Sequence, residues 1–426
     1  MAAVLIAILS FCLRLWNLGT PKGLVFDELY YVDGARDLLK YGVEVTGSGS
    51  EFIVHPPVGK WLIGIGIKLF GDNEFGWRFS VAVIGSLLIL LVARVAMLLF
   101  RSRGFSTLAS LLMALDGLQL VHSRTALLDL FLTFFVLLAT LAWLKDRYWL
   151  SGILFGLALG TKWSAIYFLI AFALILVYRD YSTNQLGVKR FLLRITQLGI
   201  TPLLVYISTW FGWFASPRGW DRHWAQTQAH SFIPNIVRSF WHYHAEILHF
   251  HTHLTSQHSY QANPWSWLVM GRPTSFYYET PKTCGASSCA QEVVALGTPF
   301  LWWLGTLAIF TVLGYWITSV IRKKPDKAAG IILVGIAAGY LPWFLFQKRT
   351  VFSFYAIVFE PFLILAVVYC AKVFLGDKPR ARHRQLIVAL ITLAIAANFL
   401  YFLPLFNGSV LSYSDWYAHM WWPSWI

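Results

Sequence analysis

The chain has 426 residues, of which 58% are hydrophobic and only 13% charged. A soluble domain of this length carries about a quarter charged residues, so a water-soluble globule is excluded, and apolar stretches near the ~20 residues that cross a bilayer recur along its whole length. The net charge of +14 does not indicate nucleic acid, because Lys and Arg fall in short loops between apolar stretches, where they orient a membrane protein.

In chain order, spans are predicted at about 1–16, 79–100, 105–121, 127–144, 149–161, 163–178, 194–214, 298–321, 328–346, 352–374 and 385–404. The first runs into Arg14-Leu15-Trp16-Asn17-Leu18-Gly19 without a small-residue cleavage site, which argues against a removable signal peptide. The fifth is too short to cross upright, so a bent hairpin with the sixth is expected. With eleven spans, one face receives Arg101, Arg103, Lys145, Arg147, Arg179, Lys189, Arg190, Arg194, Arg322, Lys323, Lys324, Lys327, Lys372, Lys378, Arg380, Arg382 and Arg384. These seventeen are half of the chain's 34 basic residues, and that face is expected to be cytoplasmic.

Residues 1–426 then form a single membrane domain, all-α and polytopic. Its long segments 17–78 and 215–297, and its tail 405–426, lie outside the cell membrane. The 21 Trp and 19 Tyr suit membrane interfaces and aromatic grooves, and long loops on a membrane scaffold usually carry function. Cys284 and Cys289 lie in the second loop, where a disulfide would persist; Cys12 and Cys370 lie in spans and read as packing residues.

The first loop opens with Phe26-Asp27-Glu28-Leu29-Tyr30-Tyr31. Neighbours on a helix point about 100° apart, so Asp27 and Glu28 cannot both face one reacting atom, which disfavours a two-carboxylate hydrolase. One base suffices for a transferase whose leaving group is a phosphate, because phosphate departs without needing a proton. The competing reading makes Asp27 a helix cap.

Further along, His55-Pro56-Pro57-Val58-Gly59-Lys60-Trp61 reads as a rigid loop followed by a surface helix over 60–70. Lys60 either snorkels to head groups or pairs with a lipid phosphate, and Arg78 either anchors the second span or binds phosphate. Asp116, His122, Arg124, Asp129, Lys162 and Arg349 gather at outer ends of spans, whereas a transporter would place polar groups near the midplane. Arg124 and Asp129 could equally be a structural pair. His249-Phe250-His251-Thr252-His253 could ligate a metal if extended; as a helix its imidazoles diverge, and Glu246 is the one carboxylate nearby. No metal site is therefore expected and no cofactor required, a divalent ion being the disfavoured option.

Leu24-Val25-Phe26-Asp27-Glu28-Leu29-Tyr30-Tyr31, His55-Pro56-Pro57-Val58-Gly59-Lys60 and Trp77-Arg78 resemble the protein O-mannosyltransferases. So do Ser123-Arg124-Thr125-Ala126-Leu127-Leu128-Asp129, Gly160-Thr161-Lys162-Trp163, Asn263-Pro264-Trp265 and Arg272-Pro273, in order from the first span to about residue 365. The Cys284-Gly285-Ala286-Ser287-Ser288-Cys289 stretch is most similar to the actinobacterial branch.

The resemblance implies a GT-C glycosyltransferase fold and a polyprenyl-phosphate-mannose donor. It also implies transfer with inversion to Ser or Thr of exported polypeptides. It marks Asp27 as the base, Glu28 as its acidic partner and Arg78 as a residue supporting the donor. Arg124, Lys162 and Arg349 become candidate phosphate contacts, and His55, Lys60, Asp129, Asn263, Trp265 and Arg272 candidates for the acceptor-holding loops. The second loop is too short for the β-trefoil domain inserted in eukaryotic members. A GT-C enzyme acting on a lipid or cell-wall glycan is the nearest rival, and proximity to a protein export channel is left open. A transporter or flippase is disfavoured by the absence of an internal repeat.

Overall fold

The computed structural model describes residues 1–376 and 382–426; Lys378 and Arg380, counted above among the basic residues of one face, lie outside the described residues. The chain opens with α1 (Ala2–Leu15), α2 (Glu28–Tyr41), α3 (Val58–Phe70) and the long α4 (Glu74–Phe100). It continues through α5 (Arg103–Ala114), α6 (Gly117–His122), α7 (Leu128–Leu144), α8 (Tyr148–Leu159) and α9 (Ala165–Ser182). Next, α10 (Val188–Ile195) passes through a π turn into α11 (Thr201–Thr209) and α12 (Phe211–Ala215), and α13 (Asn235–His253) occupies the second loop. The remainder holds α14 (Pro299–Ile321), α15 (Lys327–Tyr340), α16 (Glu360–Leu375), α17 (Arg382–Asn407) and α18 (Tyr413–Ala418).

Short polar side chains set the helix starts by accepting otherwise unpaired amides. Asn73 accepts from the Gly76 amide at 3.0 Å to open α4. Asp326 accepts from Ala328 and Ala329 at 2.9 and 3.0 Å to open α15. Asp116 caps α6 through Leu118 and Gln119, and this cap divides the predicted span 105–121 into α5 and α6.

Among the described residues, six helical segments are long and apolar enough to cross a membrane: Glu74–Phe100, Ala165–Ser182, Val188–Thr209, Pro299–Ile321, Lys327–Phe346 and Arg382–Asn407. Ala2–Leu15, Leu128–Leu144 and Tyr148–Leu159 are apolar but shorter. Almost every residue of α7, and α16 from Glu360 to Tyr369, is buried, so these two form the middle of the bundle. The outer helices turn Leu174, Leu204, Leu307 and Leu393 outward, a distribution that suits lipid and would be costly in water. Gly152 brings α8 so close to the π turn before α11 that a Cβ there would strike the Gln197 carbonyl, the small-residue packing common between membrane helices.

The expectation of an all-helical chain needs one amendment. A hairpin pairs β1 (Val45–Thr46) with β2 (Gly49–Ser50), and β3 (Thr274–Glu279), β4 (Cys289–Ala295) and β5 (Val410–Ser412) form an antiparallel sheet in that order. Short strands inside loop segments carry too little periodicity to stand out from sequence. Ser275 faces Val294 and Tyr277 faces Val293, so Phe276 is the extra residue of a β-bulge. Cys284 and Cys289 form a disulfide closing the β3–β4 turn. The segment predicted as a tail is built into this sheet through β5, and the Trp416 indole donates to Glu292 at 2.6 Å.

Candidate active site

Glu28, the first residue of α2, is fully buried opposite Arg78 on α4. One carboxylate oxygen accepts from Arg78 Nε and the Ala126 amide, both at 2.8 Å. The other accepts from Arg78 Nη2 at 2.8 Å and the Val25 amide at 3.0 Å. Arg78 directs its remaining donors at the carbonyls of Leu18, Pro21 and Gly23. A guanidinium has five N–H donors and an ionised carboxylate about four acceptor sites, so both groups are saturated. The pair ties the exit from α1 to α4 and to the loop before α7. It leaves Glu28 no free lone pair for a proton and Arg78 no donor for a phosphate, which corrects both expected roles.

Arg124 is also largely engaged by the backbone, through its two terminal nitrogens. Its guanidinium donates to the Leu13, Arg14, Trp16 and Asn17 carbonyls at 3.4, 2.8, 2.7 and 2.9 Å, closing the end of α1. It does not pair with Asp129. Lys60, expected near head groups or a lipid phosphate, is buried in an ion pair with Glu44 at 2.8 Å.

Asp27 differs from its neighbour in every respect. It stands at the start of α2 without capping it, and its one side-chain partner is the Tyr31 hydroxyl, which donates to Oδ2 at 3.3 Å. The helix-cap reading is thereby set aside. Burial pushes its carboxyl up to about 6; the nearby Lys162 ammonium pulls it down and the Asp129 carboxylate pushes it up. Phe26, immediately before it, has φ 48°, a left-handed conformation that is rare for so large a residue. Its ring stacks on Phe276 at 4.8 Å and meets Phe354 and Phe352 edge-on at 5.5 and 5.8 Å. Three aromatic side chains thus hold the strained residue that orients Asp27.

Beside Asp27 opens a cavity of about 260 Å³. Its polar lining is His55, Asp129, Lys162, His251, Arg349 and Tyr355; its apolar lining includes Ile166, Phe168, Ala338, Trp343, Phe346 and Val358. Asp27 is joined to it through Tyr31, whose ring lies 6.0 Å from that of His55. Lys162 pairs with Asp129 at 2.8 Å and faces the Tyr355 ring at 5.1 Å. His251 Nε2 donates to the Val54 carbonyl at 2.9 Å, so its Nδ1 is the acceptor for Arg349 Nη2 at 3.3 Å. Arg349 Nε and His55 Nδ1 are buried with no partner among the described residues. Burial and the surrounding Lys162, His251, Lys60 and Arg349 charges hold His55 well below its ordinary range, and burial with Arg349 lowers His251 to about 4. The cavity therefore pairs a cationic end, carrying unsatisfied donors, with an apolar end.

Of the remaining loop candidates, Asn263 caps the turn Pro264–Val269 through the Trp265 amide. Trp265 is 71% exposed and meets Phe344 edge-on. Arg272 donates to the Ser259 carbonyl and to the Ile426 carbonyl at 2.7 Å, anchoring the end of the chain. None of the three lines the cavity. Tyr31, His251, Tyr355 and Phe26 were not singled out from sequence; the middle imidazole of His249-Phe250-His251-Thr252-His253 was the available signal. On α13 that residue turns inward while His249 and His253 stack on each other at 4.1 Å, and among the described residues no cluster of His, Cys, Asp or Glu is arranged to hold a metal.

Family models match the chain almost end to end. The description dolichyl-phosphate-mannose-protein mannosyltransferase belongs to models matching residues 4–73 and 54–213, and "C-terminal four TMM region of protein-O-mannosyltransferase" to one matching 236–425. The polyprenol-phosphate-mannose–protein mannosyltransferase of Mycobacterium tuberculosis is 35% identical, over 99% of this chain and 91% of that protein. Among solved structures, the Saccharomyces cerevisiae protein O-mannosyltransferase Pmt1-Pmt2 complex bound to the sugar donor has a TM-score of 0.81 at 15% identity, covering 100% of this chain and 92% of that one. ArnT from Cupriavidus metallidurans bound to undecaprenyl phosphate has a TM-score of 0.55 at 17% identity, covering 94% and 70%. At such identities the likeness shows a shared fold.

Proposed function

This chain belongs to the polyprenol-phosphate-mannose–protein mannosyltransferases, and on that premise we propose how its residues carry out the transfer. The isoprenoid chain of the donor lies along the apolar end of the cavity, and its phosphate meets Arg349, with Lys162 and His55 beside it. Asp27 takes the proton of a Ser or Thr hydroxyl as that oxygen attacks the anomeric carbon from the side opposite the phosphate. The C–O bond to phosphate breaks with inversion, and the polyprenyl phosphate leaves as the anion, its charge held by Arg349 and Lys162. Asp129 holds Lys162 in place, while Glu28 and Arg78 hold the backbone from which Asp27 projects.

The observation that carries this reading is the contrast at adjacent positions: Glu28 is saturated, whereas Asp27 keeps a nearly unpaired carboxylate beside the cationic cavity. Eleven spans, with the cavity on the extracytoplasmic face of the cell membrane, follow from the basic loops and give exported polypeptides access to the site.

The test uses purified protein, labelled polyprenyl-phosphate-mannose and a Ser/Thr-rich peptide. Transfer by wild type, lost in Asp27→Asn with donor binding retained, is the expected outcome. Full activity in Asp27→Asn would remove the base, and donor turnover without peptide labelling would move the reading to a lipid or cell-wall glycan acceptor.

A further inference from the structure

The outer sheet ends in an open edge next to Asp27. Among the described residues β3 pairs with β4 and with no strand on its other side. Apart from the Ser275 hydroxyl reaching the Tyr277 carbonyl at 3.3 Å, the Tyr277–Glu279 backbone has no hydrogen-bond partner beyond β4 among the described residues. An unpaired edge is a template for another extended chain, and proteins usually block it with Lys, Pro or a covering element. Here Tyr278 and Glu279 are exposed, and neither Lys nor Pro occurs in the strand.

The strand is also tied to the residue that precedes the reacting group. Bulges re-aim side chains and recur beside active sites. Phe276, the bulged residue of β3, stacks on Phe26, whose left-handed backbone sets Asp27. The exposed part of the edge begins two residues on, at Tyr278, and the strand advances about 3.3 Å per residue. The disulfide Cys284–Cys289 holds the hairpin closed at its far end.

We propose that the acceptor polypeptide binds as an added β-strand along the free edge of β3, Tyr277–Glu279, which leads its Ser or Thr hydroxyl to Asp27. This inference rests on the reading that a polypeptide is the acceptor. Main-chain pairing supplies affinity whatever the side chains are, so one edge would accept many sequences.

The test is a backbone N-methyl scan of a single-Ser acceptor peptide with the wild-type enzyme in detergent and labelled polyprenyl-phosphate-mannose. Methylation removes one donor at a time, and in a strand alternate amides face the template. The expected result is a rise in peptide KM of about threefold to tenfold at alternate positions on one side of the Ser, with kcat little changed. A photo-cross-linker replacing Tyr278 should capture the same peptide. Efficient transfer with a flat or non-alternating profile would overturn β-strand addition and leave the acceptor reading standing. Failure of the unmethylated peptide, with donor still consumed, would overturn the acceptor reading and this inference together.

Discussion

Two acid–base groupings lie next to each other at the end of α1. In the Glu28–Arg78 grouping every donor and acceptor is matched within the protein. In the Asp27–Lys162–Arg349 grouping Lys162 and Arg349 line a cavity, and Arg349 Nε and the neighbouring His55 Nδ1 lack partners among the described residues. Both mix acids with bases and both have buried members, Glu28 and Arg78 in one and Lys162 in the other, so residue type does not separate them. Saturation does: a fully bonded ion pair holds the fold, while unsatisfied donors beside a cavity leave capacity for a substrate.

The largest effect should come from exchanging roles across this boundary. Asp27→Asn should lower transfer by about 10²–10⁴-fold, the usual contribution of a general base, with the unfolding temperature unchanged or raised. Glu28→Gln should do the reverse, costing about 3–5 kcal/mol of stability by leaving Arg78 buried and underpaired. Thermal unfolding in detergent beside a transfer assay separates the two, and a catalytic loss in Glu28→Gln without a stability loss would break the comparison.

Arg349→Met should leave stability nearly intact and raise donor KM by about 10- to 100-fold, the worth of a charged hydrogen bond; Arg78→Met should lower stability instead. Replacing both Cys284 and Cys289 by Ser should cost the hairpin about 2 kcal/mol and raise peptide KM while donor KM holds.

The smallest effect is that of pH. Asp27 must be ionised to accept a proton, and its carboxyl is raised to about 6, so kcat/KM should fall about tenfold between pH 7 and pH 5 and level off above pH 7. Because this folded-state value lies above the ordinary 3.8, ionising Asp27 opposes folding. Its contribution to stability is favourable at low pH and is lost as pH rises through about 6. Asp27→Asn should abolish both dependences, and a pH profile unchanged by that substitution would assign the titration to another group.

Much of the membrane body was legible in the sequence, because length and hydropathy are local properties. Every stretch predicted to span carries helix in the structure, though 105–121 divides at Asp116 and 352–374 starts with the tighter turn Ser353–Val358. The site was legible as a set of residues but not as a set of roles. Lys162, Arg349, His55 and Asp129 line one cavity, with Asp27 reaching it through Tyr31; Lys60, Arg78, Arg124 and Glu28 are engaged elsewhere. Their motifs resemble one another in sequence because an arginine that binds helix carbonyls and one that binds a phosphate are the same residue.

By itself, then, the sequence determined a hydrophobic polytopic chain, its family, and a short list of ionisable residues too costly to bury without purpose. The tertiary structure alone decided which of them are satisfied. Glu28 meets Arg78 fifty residues away, Arg124 reaches carbonyls more than a hundred residues back, and Phe276 reaches Phe26 from another loop. A hydrogen bond is made or left open by atoms brought within about 3 Å, and no spacing along the chain records that distance between segments so far apart.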